Sequence, residues 1–221
     1  MKGFAALVLK DLTLELRSGR TTLALASMAL LVLVVLVFAF DRTVVRGPEA
    51  AAGALWVSLV FAGMLGANRA LAVEQEQGCM RGLLLAPLER PTIYAAKLTS
   101  CVAFMVAAGA AALVLVVLFF NLDISYAILS LAAVLLLGVF GFSALATLLA
   151  IIGMKARGGE LLLPVLIVPI FVPALIAGVK ASASVLAGAG AARQWLEILV
   201  AFDVLFVTAG YLLFEHVLGE E

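Results

Sequence analysis

TTLALASMALLVLVVLVFAF, residues 21–40, holds no charged side chain across twenty positions. As a helix it is about 30 Å long, the thickness of a bilayer's hydrocarbon core. A secretory signal peptide would have a shorter apolar region and a small-residue cleavage site, so this run reads as a retained first span. The whole chain agrees. Of its 221 residues 66% are hydrophobic and 13% charged. That is more apolar surface than a water-soluble domain of this size can hide. Acidic and basic residues balance at 14 each, so no net charge draws the chain to nucleic acid.

Five further apolar runs follow, at 50–67, 98–120, 124–154, 161–179 and 195–214. The fourth span, 124–154, is long enough to tilt or to begin in the interface. The fifth carries Pro164, Pro169 and Pro173, and the sixth carries Glu197 and Asp203. In lipid each backbone polar group must be satisfied within its own segment, so the runs are helices. The expected fold is an all-α integral membrane protein of six transmembrane helices in one domain, 1–221. Ala62 with Gly66, and Ala103 with Ala107 and Ala111, recur at the four-residue spacing that lets helices approach closely.

Basic residues set the orientation. Ten of the fourteen lie in the N-terminal segment (Lys2, Lys10, Arg17, Arg20), the loop after span two (Arg69, Arg81, Arg90, Lys97) and the loop after span four (Lys155, Arg157). The other side has Arg42, Arg46, Lys180 and Arg193. The positive-inside bias puts both termini in the cytoplasm. In the N-terminal segment Ala5, Val8, Leu9, Leu12 and Leu16 fall on one helical stripe, while Lys10, Thr13 and Arg17 face away. Such a helix either lies in the headgroup region or packs on protein. A span begins directly after Gly19-Arg20, which favours the interfacial placement.

The loop after span two reads EQEQGCMRGLLLAPLERPTIYAAK, residues 74–97. Met80, Leu83, Leu84, Pro87 and Leu88 are spaced as one apolar helical face, with Arg81 and Gly82 off it. Glu74 and Glu76 precede it, where a helix N-terminus favours negative charge. Pro87 ends the short helix, and Pro91 suits the first turn of the next. The result is a short rigid helix on the cytoplasmic surface. The chain has no GxxxxGK[ST] phosphate loop of its own, and a separate ATPase docking around that helix could turn nucleotide-driven closure into movement of the spans. The plain alternative is a surface loop with no partner.

Here the residues resemble a family. The run from Gly78 through Leu83, Leu85, Pro87 and Leu88 to Lys97 is similar to its loop pattern. Lys155, Arg157, Gly158 and Gly159, followed by Pro169 and Pro173, resemble its Arg-Gly-Gly turn and proline-bearing fifth span. ALWVSLVFAGMLGANR, with Trp56 and Arg69, resembles its second span. The family is haem exporter protein B of cytochrome c maturation (CcmB). The chain departs from it at Arg81, where an acidic residue is common, and at Glu197 and Asp203, which charge a usually plainer last span.

The resemblance implies an ABC-2-type permease-like subunit of the bacterial inner membrane, with an interfacial N-terminal helix and a short cytoplasmic coupling helix. Its coupling residues would be Glu74, Glu76, Gly78, Met80, Arg81, Leu83, Leu84, Pro87 and Leu88. Its structural motif would be Pro91, Lys97, Arg157, Gly158, Gly159, Pro169 and Pro173. The implied partners are an ABC ATPase subunit, expected as a dimer, a haem-handling membrane subunit, a small membrane subunit and a periplasmic haem chaperone. The lipid bilayer and a second copy of the chain complete the set. ATP would act through the ATPase, driving haem export or release of the haem-loaded chaperone. Two alternatives stand: an export permease for a lipid, glycan or drug, or a non-transporting scaffold for the haem-handling partner.

No catalytic residue and no metal site are expected, and haem enters as cargo of the complex rather than as a firmly held cofactor. The lone His216 reads as a polar end group. Cys79 and Cys101 match no CxxC or CxxCH pattern. Asp203 lies inside a span, where it either pairs with Lys180 or Arg193, lines a polar path, or sits near water without a role. The segment 180–193, with Ser182, Ser184, Gly188 and Gly190, reads as a re-entrant or interfacial piece, or as an ordinary outer loop.

Overall fold

A computed structural model of the chain describes residues 2–39, 47–76, 90–155 and 159–217. Seven helices and no strand occur among them: α1 Lys2–Ser18, α2 Arg20–Ala39, α3 Pro48–Glu76, α4 Arg90–Phe120, α5 Ile128–Lys155, α6 Gly159–Leu186 and α7 Arg193–Val217. Helices α2 to α7 are each long and apolar enough to cross a membrane. The protein is therefore an all-α integral membrane bundle.

The breaks between helices have local causes. Gly19 has φ 59°, a left-handed conformation that other residues adopt at about 1–2 kcal/mol. It ends α1, and its carbonyl then accepts from Leu23 N at 2.9 Å, so α2 starts at once in a new direction. Pro91 is the second residue of α4, where its missing N–H leaves no bond unmade. That start lies two turns ahead of the expected 98. The fourth span instead starts later than the expected 124, at Ile128. Asn121 is left-handed (φ 51°), and Ser125 donates from N (3.1 Å) and Oγ (2.6 Å) to Asp123 Oδ1, which makes a turn of residues 121–127. The bonds from Ser125 hold the Asp123 carboxyl below the usual carboxylate range.

The segment 180–193 is a correction. Helix α6 runs unbroken to Leu186, so half of the segment is ordinary helix and the turn is confined to 187–192. Its small residues serve packing: Ala181, Ser182 and Ala183 are buried. Ser184 Oγ closes the turn on Gly190 O at 2.6 Å. Tyr126 O–H donates to Leu186 O at 3.0 Å, tying this turn to the one before α5.

Helix α3 is the most buried span; α2 and α7 lie outermost. Leu55, Trp56 and Ala62 of α3 meet Leu131 and Leu145 of α5 and Ile167 and Phe171 of α6 in one core. Leu23, Leu31, Val35 and Phe38 of α2, and Val204, Leu205 and Leu212 of α7, point outward as a lipid-facing surface would. The expected Ala62/Gly66 stripe does face helices: Ala62 is buried, and a Cβ at Gly66 would meet Leu25 of α2. The Ala103/Ala107/Ala111 stripe does not. Ala107 is exposed, and α4 buries Met105, Ala108, Ala112 and Val116 instead. Alanine is so frequent in α4 that several stripes look alike. The one carrying Gly109, which sits against Leu59 and Val139, is the one that packs.

Candidate functional site

Trp56 holds three helices together. Its side chain is fully buried, and Nε1 donates to Ser182 Oγ of α6 at 2.9 Å. The ring occupies the space that a Cβ would need at Gly138 of α5 and at Gly178 of α6. Both glycines are thus demanded by contact rather than by backbone angle. Beside them Phe142 meets Phe171 edge-on (5.1 Å, 87°), and Phe171 meets Phe202 the same way (5.6 Å, 82°), linking α5, α6 and α7. Trp56 was visible in the sequence only as part of a resemblance. The signal for its role was available: two glycines inside long apolar runs, each an entropic liability unless something fills the gap.

At the end of the bundle where α1 lies, a second, smaller core forms. Leu7 of α1 packs on Ile93, Tyr94 and Leu98 of α4, together with Ala144 of α5 and Phe206 and Val207 of α7. A Cβ at Gly210 of α7 would collide with the Tyr94 ring, so α4 and α7 approach closely here. Lys97 Nζ lies 3.1 Å from Asp11 Oδ2, and both side chains are largely shielded. Lys10 Nζ reaches the other carboxylate oxygen at 3.4 Å. The half-buried face of α1 includes Phe4, Leu7, Val8, Asp11 and Leu12, so it shares Val8 and Leu12 with the apolar stripe of Ala5, Val8, Leu9, Leu12 and Leu16. Ala5 is exposed, and Leu9 is 61% exposed. Asp11 was missed from the sequence because it is a single acid in a segment read for its basic and apolar residues.

Asp203 is buried in α7, and its Oδ1 has no hydrogen-bond partner among the described residues. It faces Gly141 of α5, where a Cβ would run into that oxygen. Of the alternatives for Asp203, pairing with Lys180 or Arg193 does not form. Arg193 Nε donates to Glu197 Oε1 at 2.6 Å on the exposed start of α7, and Lys180 points outward. No group of three His, Cys, Asp or Glu able to hold a metal occurs among the described residues. An ionised Asp at a span centre costs about 2.5–3.5 kcal/mol on insertion. Asp203→Asn, which keeps the shape that Gly141 accommodates, should therefore leave membrane level and melting temperature equal or higher. Immunoblots of membranes and thermal unfolding in micelles would check this. A clear drop in either would mean that a partner stabilises the carboxylate's charge.

The other expected site residues fall as follows. Glu74 and Glu76 belong to the last turn of α3. Gly78, Met80, Arg81, Leu83, Leu84, Pro87 and Leu88 lie outside the described residues, as do Cys79, Arg157 and Gly158. Gly159 opens α6, and Pro169 and Pro173 lie on its exposed face. The chain leaves α3 at Glu76 and enters α4 at Arg90, and Lys97 follows two turns later.

The family described as CcmB protein matches this sequence over residues 2–218. Heme exporter protein B of Bradyrhizobium diazoefficiens is 27% identical to it over 213 residues, which cover 95% of this chain and 94% of that relative.

Proposed function

This chain belongs to the CcmB protein family, and from that membership we propose that it is the permease subunit of an ABC-type complex for cytochrome c biogenesis. A separate ATPase docks on the segment between α3 and α4, and ATP hydrolysis there drives haem export or release of a haem-loaded periplasmic chaperone. The carrying observation is that the family match spans the α1 helix and all six membrane helices, rather than one module of the chain. The mechanical version, release of a chaperone, draws support from the interior of the bundle. Trp56, Leu55, Leu131, Leu145 and Phe171 fill it, so movement of whole helices is what a single copy can offer.

In this reading the α1 end faces the cytoplasm of a bacterial inner membrane, as the clustering of basic residues there favours. The haem-handling and small membrane subunits bind through the outward apolar faces. The experiment is purification of the tagged chain from a host that depends on it for cytochrome c maturation. An ATPase subunit and a haem-handling subunit should co-purify, and the complex should hydrolyse ATP. The chain stripped of partners should turn over no more ATP than a denatured control, and a reporter active only in the periplasm should be silent at Glu221. An ATPase with no haem-handling partner would point to export of another substrate. The haem-handling partner without an ATPase would point to a scaffold.

A further inference from the structure

Helix α1 is joined covalently to α2 but packs chiefly on α4. Gly19, left-handed and with open space around it, separates it from the span it leads into. What fixes α1 instead is the Asp11–Lys97 ion pair, across 86 positions of sequence, and the seating of Leu7 on Ile93, Tyr94 and Leu98. Lys97 is two turns into α4, the helix that directly continues the segment 77–89. The same small core reaches Phe206 and Val207 of α7.

We propose that Asp11 and Lys97 are a positioning pair that makes α1 and the start of α4 one moving body. A displacement imposed on the segment between α3 and α4 is thereby carried to α1 and α7. The inference rests on the ATPase-coupling reading above. Neither residue touches substrate; they act by holding two helices in register. A largely shielded pair suits that task, because reversing either charge sets like charges against each other where the two helices meet. A glycine joint on one side and an ion pair on the other also explain why α1 packs more on α4 than on α2.

The test uses the intact complex with its ATPase and compares wild type, Asp11→Lys, Lys97→Asp and the exchanged pair carrying both changes. Membrane level, bound ATPase, ATP hydrolysis and mature cytochrome c are measured on each. Each single reversal should keep the ATPase bound and hydrolysing while cytochrome c made per ATP falls about tenfold, and the exchange should restore most of it. Unchanged output in both single variants, or no recovery in the exchange, would overturn the proposal. So would a proportional fall in level, hydrolysis and output, which marks a pair that only stabilises the fold. Release of the ATPase would make the pair a docking contact and also overturn it. A wild-type complex without any ATPase sinks the parent reading first, and this inference with it, before any variant is read.

Discussion

Gly178→Val is expected to remove most of the folded protein from the membrane. The first atom beyond the backbone at this position would lie 2.5 Å from Cζ2 and 2.6 Å from Cε2 of Trp56. The ring cannot slide toward α5, because Gly138 already borders its other edge. Overpacking a tight core costs about 1–3 kcal/mol when neighbours can shift. Here the alternative is expulsion of the ring, which forfeits a buried Trp, about 3–5 kcal/mol, together with the bond to Ser182. Against a typical stability of about 5–15 kcal/mol, either outcome lowers the folded fraction steeply. Trp56→Ala should also be harmful alone, but the cavity it leaves accepts the valine. The double variant should therefore be less damaged than the sum of the two, with a coupling of about 1–3 kcal/mol. Thermal unfolding of the purified variants measures that coupling. In a Trp195→Phe background Trp56 becomes the remaining tryptophan, so its emission should shift to the red in Gly178→Val. Strict additivity, with unshifted emission, would show that the ring and Gly178 are not in contact.

Leu84→Asp should abolish function while sparing the fold. Leu84 belongs to the apolar face of the segment between α3 and α4, proposed above to seat in the ATPase. A charge there would be buried without a partner, and breaking a buried contact in this way costs about 3–5 kcal/mol. That corresponds to more than about a hundredfold in affinity. The segment lies between membrane helices rather than within one, so insertion should proceed normally. The expected result is a normal membrane level, loss of the ATPase from the purified complex and loss of cytochrome c maturation. Leu84→Ala only removes apolar area and should be milder. Retention of the ATPase in Leu84→Asp would reduce the segment to a connecting loop. The contrast with Gly178→Val is useful: one variant loses the protein, the other loses only its partner.

Much of this was legible without coordinates, and particular residues show why. Six uncharged or nearly uncharged runs can be satisfied only as helices in lipid, so span number and class followed from hydropathy. Pro91 announced a helix start because its ring suits a first turn. The N-terminal helix was legible as amphipathic, but its contact with α4 was not: the ion pair from Asp11 to Lys97 joins residues far apart in the chain. The fourth span was read too long because Ile124 and Ala127 are apolar, while the Asp123–Ser125 turn that delays the helix is a matter of two hydrogen bonds.

What the chain's order alone determined was set by the solvent: which segments are long and apolar enough to cross the bilayer, and that they are helical. Lipid penalises every exposed backbone group and every charge in a way that shows in one dimension. What only the tertiary structure decided was the choice among equal faces. Ala107 and Ala108 are chemically identical, yet one is exposed and the other buried. Gly138 and Gly178 are ordinary glycines until Trp56 fills both, and Lys97 is one basic residue among several until Asp11 meets it. In a membrane the apolar side chains gain little by leaving lipid for each other, so hydropathy cannot rank the faces. Shape and a few polar contacts across distant helices do, and those exist only once the helices are side by side.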